Sequence, residues 1–298
     1  MSDADKFKLP AEVIQRLTRR SDARGLLQLG GHLALLVMAG MAMQASRDSL
    51  WFLLALPLYA AVLIFLFAPL HETIHFTVFD TRWINNAVAA VIGFLLFLPY
   101  QNFRVFHYEH HRFTQDPQRD PELLDMKPLH QNFWWYLTGL PTWWQSITNI
   151  WQHATVGVHE SYIGQRHHAS IVTEARIHLA GYAALLLISL LSSSAFLWWF
   201  WILPALVGQP LLRLYLLAEH SGCDYGDNML ENSRTTYTVP WLSFLAWNMP
   251  YHAEHHYLAS VPFHALPALH AYTGQRVKHK GEGYVDVHRA LAAQRRSG

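Results

Sequence analysis

The chain has almost no cysteine, little charge and no surplus of either sign. Cys223 is the single cysteine in 298 residues, which excludes an intramolecular disulfide and any cysteine-built cluster. The net charge is +1 and the basic residues are not gathered into one patch, so no nucleic-acid partner is expected. Charged residues make up 14% of the chain, against about 25% in soluble domains, while 52% are hydrophobic. That deficit points to lipid. Histidine runs the other way: its 20 copies nearly equal the 22 lysines and arginines, and they cluster.

Two uncharged runs open the chain, one between Arg24 and Arg47 and one over residues 50–70. Each is long enough to cross a hydrocarbon core of about 30 Å as a helix, and together they predict a hairpin. A longer run, residues 177–212, is divided by Ser192-Ser193-Ser194 into a second predicted hairpin. The polar, basic N-terminal stretch has no cleavable signal pattern, so the first span is expected to stay in the mature protein. Lys6, Lys8, Arg16, Arg19, Arg20 and Arg24 precede the first span, and Arg104, Arg112, Arg119, Lys127, Arg166 and Arg176 lie between the hairpins. By the positive-inside rule, both termini and the middle segment face the cytoplasm.

One apolar stretch conflicts with that count. Residues 86–99, NAVAAVIGFLLFLP, would invert everything downstream if they crossed, and at 14 residues they are short for a span. They are expected to dip into the membrane or lie at its surface, as is the Trp-rich region 133–151. The predicted fold is an all-α membrane protein with four transmembrane helices in two hairpins and a cytoplasmic helical cap carrying the metal site. It forms a single membrane-embedded domain over residues 1–298. The spans fall near 26–46, 50–70, 177–193 and 195–214, and residues 219–298 form a cytoplasmic tail.

In that topology four groups of histidines land on one side of the membrane. They are His71 and His75; His107, His110 and His111; His220; and His252, His255 and His256. Spacings of i, i+4 or i, i+3, i+4 put each group on one helix face, aimed at a common centre. His71-Glu72-Thr73-Ile74-His75 alone has the H-E-x-x-H form of a zinc protease, with Glu72 as base. A zinc hydrolase uses about three protein ligands, however, and nine candidates are too many for it. A non-catalytic metal carrier has no need of so many ligands beside a lipid-facing cavity. Two octahedral ions with four or five imidazoles each would use them all, and iron suits such a site with positions left for dioxygen. His153, His159, His167, His168, His178, His264 and His270 follow no ligand pattern and are assigned structural roles.

The three groups resemble the histidine boxes of the integral-membrane fatty-acid desaturase and hydroxylase superfamily: H-x-x-x-H at His71–His75, H-x-x-H-H at His107–His111 and H-x-x-H-H at His252–His256. The resemblance runs from about residue 50 to 270. It includes HHRFTQDPQRDPEL after the second box and HHYLASVPFHALPALH after the third, where Ala259 replaces a common proline. His220 matches an additional ligand histidine. The resemblance implies two iron ions with dioxygen as co-substrate, oxidising an unactivated C–H bond of a lipid or acyl substrate. Fatty-acyl desaturation leads, with hydroxylation of an acyl chain, hydrocarbon or carotenoid-like terpenoid as the alternative. Asp116, Asp120, Glu109, Glu254 and Asn248 are the nearest candidates to orient the imidazoles, with Glu72 as a supporting residue. Electrons are expected from a separate donor of ferredoxin or cytochrome type with its reductase, and the expected location is a bacterial inner membrane.

Overall fold

A computed structural model describes residues 8–124 and 132–297. Lys6 and Lys127, used above for orientation, lie outside the described residues. The protein is predominantly helical, and among the described residues four helices are long and apolar enough to cross a bilayer: Asp22–Ala45, Phe52–Ile74, Gln165–Leu191 and Trp198–His220. The first is α1 (Asp22–Ala45), started by Ser21, whose side chain accepts the Arg24 N–H at 3.3 Å. The second is broken into α2 (Phe52–Ile64) and α3 (Phe67–Ile74). Pro69 lies just beyond the break and has no N–H to offer the carbonyl of Phe65, so the ladder is interrupted there.

The helix α4 (Arg82–Leu95) takes up most of the 86–99 stretch and turns by 102° into α5 (Tyr100–Phe113). No straight helix therefore crosses at this point. The corner needs Gly93, because a Cβ there would stand 2.6 Å from the Leu98 carbonyl oxygen. In the Trp-rich region, α6 (Leu140–Thr155) leaves Trp144 and Trp151 exposed while Trp143 packs on Phe97, ring centroids 5.0 Å apart.

The third crossing helix, continued as α7 (His168–Leu191), begins well before the apolar run at residue 177. Its polar first turns are satisfied locally: Glu174 accepts the Tyr100 and Gln101 N–H groups at 2.9 and 2.8 Å, and Arg176 donates to the Ala154 carbonyl at 3.0 Å. The helix therefore extends past the hydropathy boundary. The fourth crossing enters through a π-helical turn, Trp198–Ile202, directly before Pro204, and continues as α8 (Leu203–His220). Chain order then gives β1 (Arg234–Thr236), α9 (His252–Tyr257), α10 (Leu266–Thr273), β2 (His279–Gly281) and α11 (Tyr284–Ser297). The two strands pair in parallel with Thr235 opposite Lys280.

The second and fourth crossing helices are the more buried pair. They meet closely at Gly208, where a Cβ would lie 2.8 Å from the Ala60 carbonyl oxygen. The outer faces of α1, α2 and α7 expose Leu27, Met41, Leu53, Leu54, Leu187 and Leu191, an apolar belt that water would not tolerate and acyl chains would. Inside the bundle, Trp247 donates from Nε1 to His32 Nδ1 at 3.2 Å, which leaves His32 Nε2–H to donate to the Val62 carbonyl at 2.9 Å. This pairing ties the first crossing helix to the segment that leads into α9.

Candidate metal centre

The nine histidines come from four helices that bring them together. His71 and His75 close α3, His107, His110 and His111 occupy α5, His220 is the last residue of α8, and His252, His255 and His256 build α9. Except for His75 and His111, which are partly covered, all are buried. Imidazole nitrogens of His71, His75, His107, His111 and His255 lie within 4.8 Å of one another and form one group. His110, His220 and His256 form a second. His252 joins this second group, with its Nε2 2.9 Å from His220 Nε2.

The inward nitrogens are consistent in kind. Nε2 of His107 faces that of His111 at 2.9 Å, His111 faces His255 at 3.0 Å, and His110 faces His220 at 3.2 Å. Imidazole nitrogens about 2.1 Å from one ion and at right angles around it would stand about 3.0 Å apart. Outward, Nδ1 meets oxygen in several rings: His110 on Asp120 Oδ1 at 3.0 Å, His220 on the Asn232 carbonyl at 3.1 Å, and His256 on Thr114 Oγ1 at 3.1 Å. Thr114 gives its own proton to the His110 carbonyl, so its oxygen accepts from His256. Holding the proton on Nδ1 leaves the Nε2 lone pair pointing at the common centre. Nε2 of His71, His75 and His256 is buried with no hydrogen-bond partner among the described residues, which is costly unless something electron-poor sits there. The residues fit metal ions.

Carboxylates lie behind the rings. Glu72 Oε1 stands 3.7 Å from His255 Nδ1 and 3.9 Å from His71 Nδ1, while its Oε2 accepts the Phe263 N–H at 2.9 Å and the Thr77 hydroxyl at 3.2 Å. Glu72 is thus fully buried and engaged on the outer side of the rings, in the position of a support and not of a hydrolytic base. Glu219 Oε1 lies 3.4 Å from His252 Nδ1, and Glu122 Oε2 3.4 Å from His110 Nδ1.

Electrostatics follow from this packing. Burial pushes His107, His111, His252, His255 and His256 well below the ordinary imidazole range, helped by neighbouring histidines. His75 is pushed down to about 3 by burial and by Arg104. His110 is the exception: burial lowers it, but Glu122 and Asp120 outweigh that and raise it. Most of the set is therefore neutral and ready to ligate at neutral pH.

Among the sequence candidates for orienting residues, only Asp120 touches one of the nine rings. Its reach back to His110 depends on the QDPQRD loop, where Gln115 adopts φ +63° and donates its N–H to Asp120 Oδ2 at 2.8 Å. Asp116 pairs with exposed Arg119 at 2.5 Å, and Glu109 stands 3.9 Å from Arg112. Glu254 is buried but accepts from Thr235 at 2.5 Å and faces His270 Nδ1 at 2.6 Å, which anchors α9 to β1 and α10. Asn248 adopts φ +56° and donates to the Phe263 carbonyl at 3.1 Å, shaping the turn before α9. Glu122, Glu219, Thr114 and Asn232 were not legible as partners, since nothing local marks them. Of the other histidines, His153 faces Glu160 at 2.8 Å and His168 faces the Ile163 carbonyl at 3.2 Å.

A cavity of about 500 Å³ adjoins both groups, lined by His71 and His107 of the first, by His110, His220 and His252 of the second, and by apolar side chains such as Phe67, Phe103, Leu212 and Trp143. The sequence profile described as fatty acid desaturase matches residues 49–288, which takes in the three boxes, His220 and this cavity.

The chain belongs to the fatty acid desaturase family. It is also similar to a Delta(12) acyl-lipid conjugase (11E,13E-forming) of Momordica charantia, with 30% identity over 142 residues. That match covers 46% of this chain and 35% of the relative. The matched region includes three of the four helices that are long and apolar enough to cross a membrane.

Proposed function

We propose that this desaturase-family chain uses two iron ions, held by the nine histidines, to oxidise an unactivated C–H bond of a lipid hydrocarbon chain lying in the cavity. The observation that carries the reading is the arrangement of histidine nitrogens in two adjacent groups, with buried Nε2 atoms that lack a hydrogen-bond partner among the described residues, on the wall of a largely apolar cavity. His71, His75, His107, His111 and His255 would hold one ion, and His110, His220, His252 and His256 the other. The bound ions supply the dioxygen chemistry.

The protein's own part is positional. Phe67, Phe103 and the other apolar lining residues exclude water and hold a hydrocarbon chain beneath the rings. Asp120, Asn232 and Thr114 fix the Nδ1 tautomer so that each lone pair keeps its direction. Desaturation is the leading outcome. Electrons are assigned to a separate donor of ferredoxin or cytochrome type. The histidines and both termini are assigned to the cytoplasmic side by the distribution of Arg and Lys.

The test is metal analysis of the purified full chain beside His255→Ala and His220→Ala. Two irons per chain are expected in the parent protein, with loss in each variant. Full iron content in both variants would overturn the ligand assignment.

A further inference from the structure

The same cavity carries polar groups far from the histidines. Gln209 and Arg213 line it from α8, both more than nine-tenths buried inside the fourth crossing helix. Gln209 Oε1 and Arg213 Nε have no hydrogen-bond partner among the described residues, and neither do Asn102 Oδ1 and Thr142 Oγ1, which line the same space. The Arg213 guanidinium lies 5.8 Å from the Tyr136 ring centroid and hydrogen-bonds with the Tyr136 side chain, so Nε is the part of it left without a partner among the described residues. Such groups are expensive inside a membrane and mark a place where something polar binds.

Position and chemistry define the guest. Gln209, Arg213, Leu216 and His220 all line the cavity, at the spacing of one helix face. At 1.5 Å per residue, Arg213 and Gln209 stand roughly 10 and 16 Å from His220 along the axis. Arg213 Nε needs an acceptor, whereas Gln209 Oε1 and Asn102 Oδ1 need a donor. A hydroxyl group does both. An anion suits the site less well, because it would face the amide oxygens, and Glu122 and Glu219 already line the cavity.

We propose that Gln209 and Arg213 bind a hydroxyl group of the substrate, which makes the substrate class a hydroxyl-terminated hydrocarbon chain that is oxidised roughly 10 to 16 Å from its oxygen. This rests on the oxidation reading above for the place of reaction, while the hydroxyl site itself is read by binding alone.

The experiment is equilibrium binding to the iron-loaded full chain of three probes of equal carbon count: a long-chain alkanol, the corresponding fatty acid and the alkane. The alkanol is expected to bind about ten- to a hundredfold more tightly than the alkane. Gln209→Leu and Arg213→Leu are each expected to remove most of that preference while iron content stays at the parent level. Thr142→Val is a milder third variant should Arg213→Leu fail to fold. Equal binding of alkanol and alkane, tighter binding of the fatty acid than of the alkanol, or a preference that survives the substitutions would overturn the proposal. A chain that prefers the alkanol through these residues yet gives no histidine-dependent product would overturn the oxidation reading alone.

Discussion

Replacing Asp120 by asparagine changes one oxygen to an NH2 at a site where three N–H groups converge. His110 Nδ1 and the Glu122 N–H, at 3.0 and 2.9 Å, point to Oδ1, and the Gln115 N–H, at 2.8 Å, to Oδ2. An asparagine has one acceptor oxygen, so whichever way its amide turns, at least one buried N–H faces another donor. That mismatch costs about 1–3 kcal/mol, and loss of the charge-assisted bond to His110 brings the total to roughly 2–4 kcal/mol. Because Asp120 fixes the tautomer of His110, iron affinity of the second group is expected to fall about ten- to a hundredfold. Competition for iron against a chelator, beside thermal unfolding of the same preparations, reads both effects. Asp116→Asn is the control: four residues away and facing solvent, it should leave iron affinity unchanged. An Asp120→Asn protein with parental iron affinity and an unshifted unfolding midpoint would refute the assignment of His110 and its support.

Other outcomes follow from the same geometry. In metal-free protein the depressed histidines stay neutral when folded but take up protons when unfolded. The contribution of these rings to stability should therefore be full above pH 6.5 and fall as pH drops below it, with the His75 contribution continuing down to about 3, at up to about 1.4 kcal/mol per pH unit for each ring. Denaturant midpoints across that range check the sign, and a midpoint independent of pH would count against it. Gly208→Val puts a side chain where a Cβ already stands 2.8 Å from the Ala60 carbonyl, so a loss of about 1–3 kcal/mol is expected in detergent-solubilised unfolding. Chelation should lower the unfolding midpoint of the parent protein, since ions that bind only the folded state stabilise it, and should leave that of His255→Ala nearly unmoved.

Much of this site could be read from the chain. Runs without charge located four membrane-crossing helices, and the i, i+3, i+4 spacing of histidines put three clusters on helix faces that do converge. Proximity in sequence served less well for the groups behind the rings. Asp116 and Glu109 lie as near the second box as Asp120 does, yet only the φ +63° turn at Gln115 folds Asp120 back onto His110. Glu219 meets His252 across 33 positions and Glu72 meets His255 across 183, distances that no local pattern encodes. The third crossing helix begins earlier than hydropathy indicates because buried Glu174 accepts backbone N–H groups of a distant segment, while Arg176 stays exposed and donates to the Ala154 carbonyl.

The most direct test of the central claim is mass-resolved lipid profiling of an aerated host that expresses the chain with a matched reductase, beside its His255→Ala variant. A histidine-dependent loss of two hydrogens from a lipid chain is the predicted result. Products that persist unchanged in the His255→Ala strain would contradict the account.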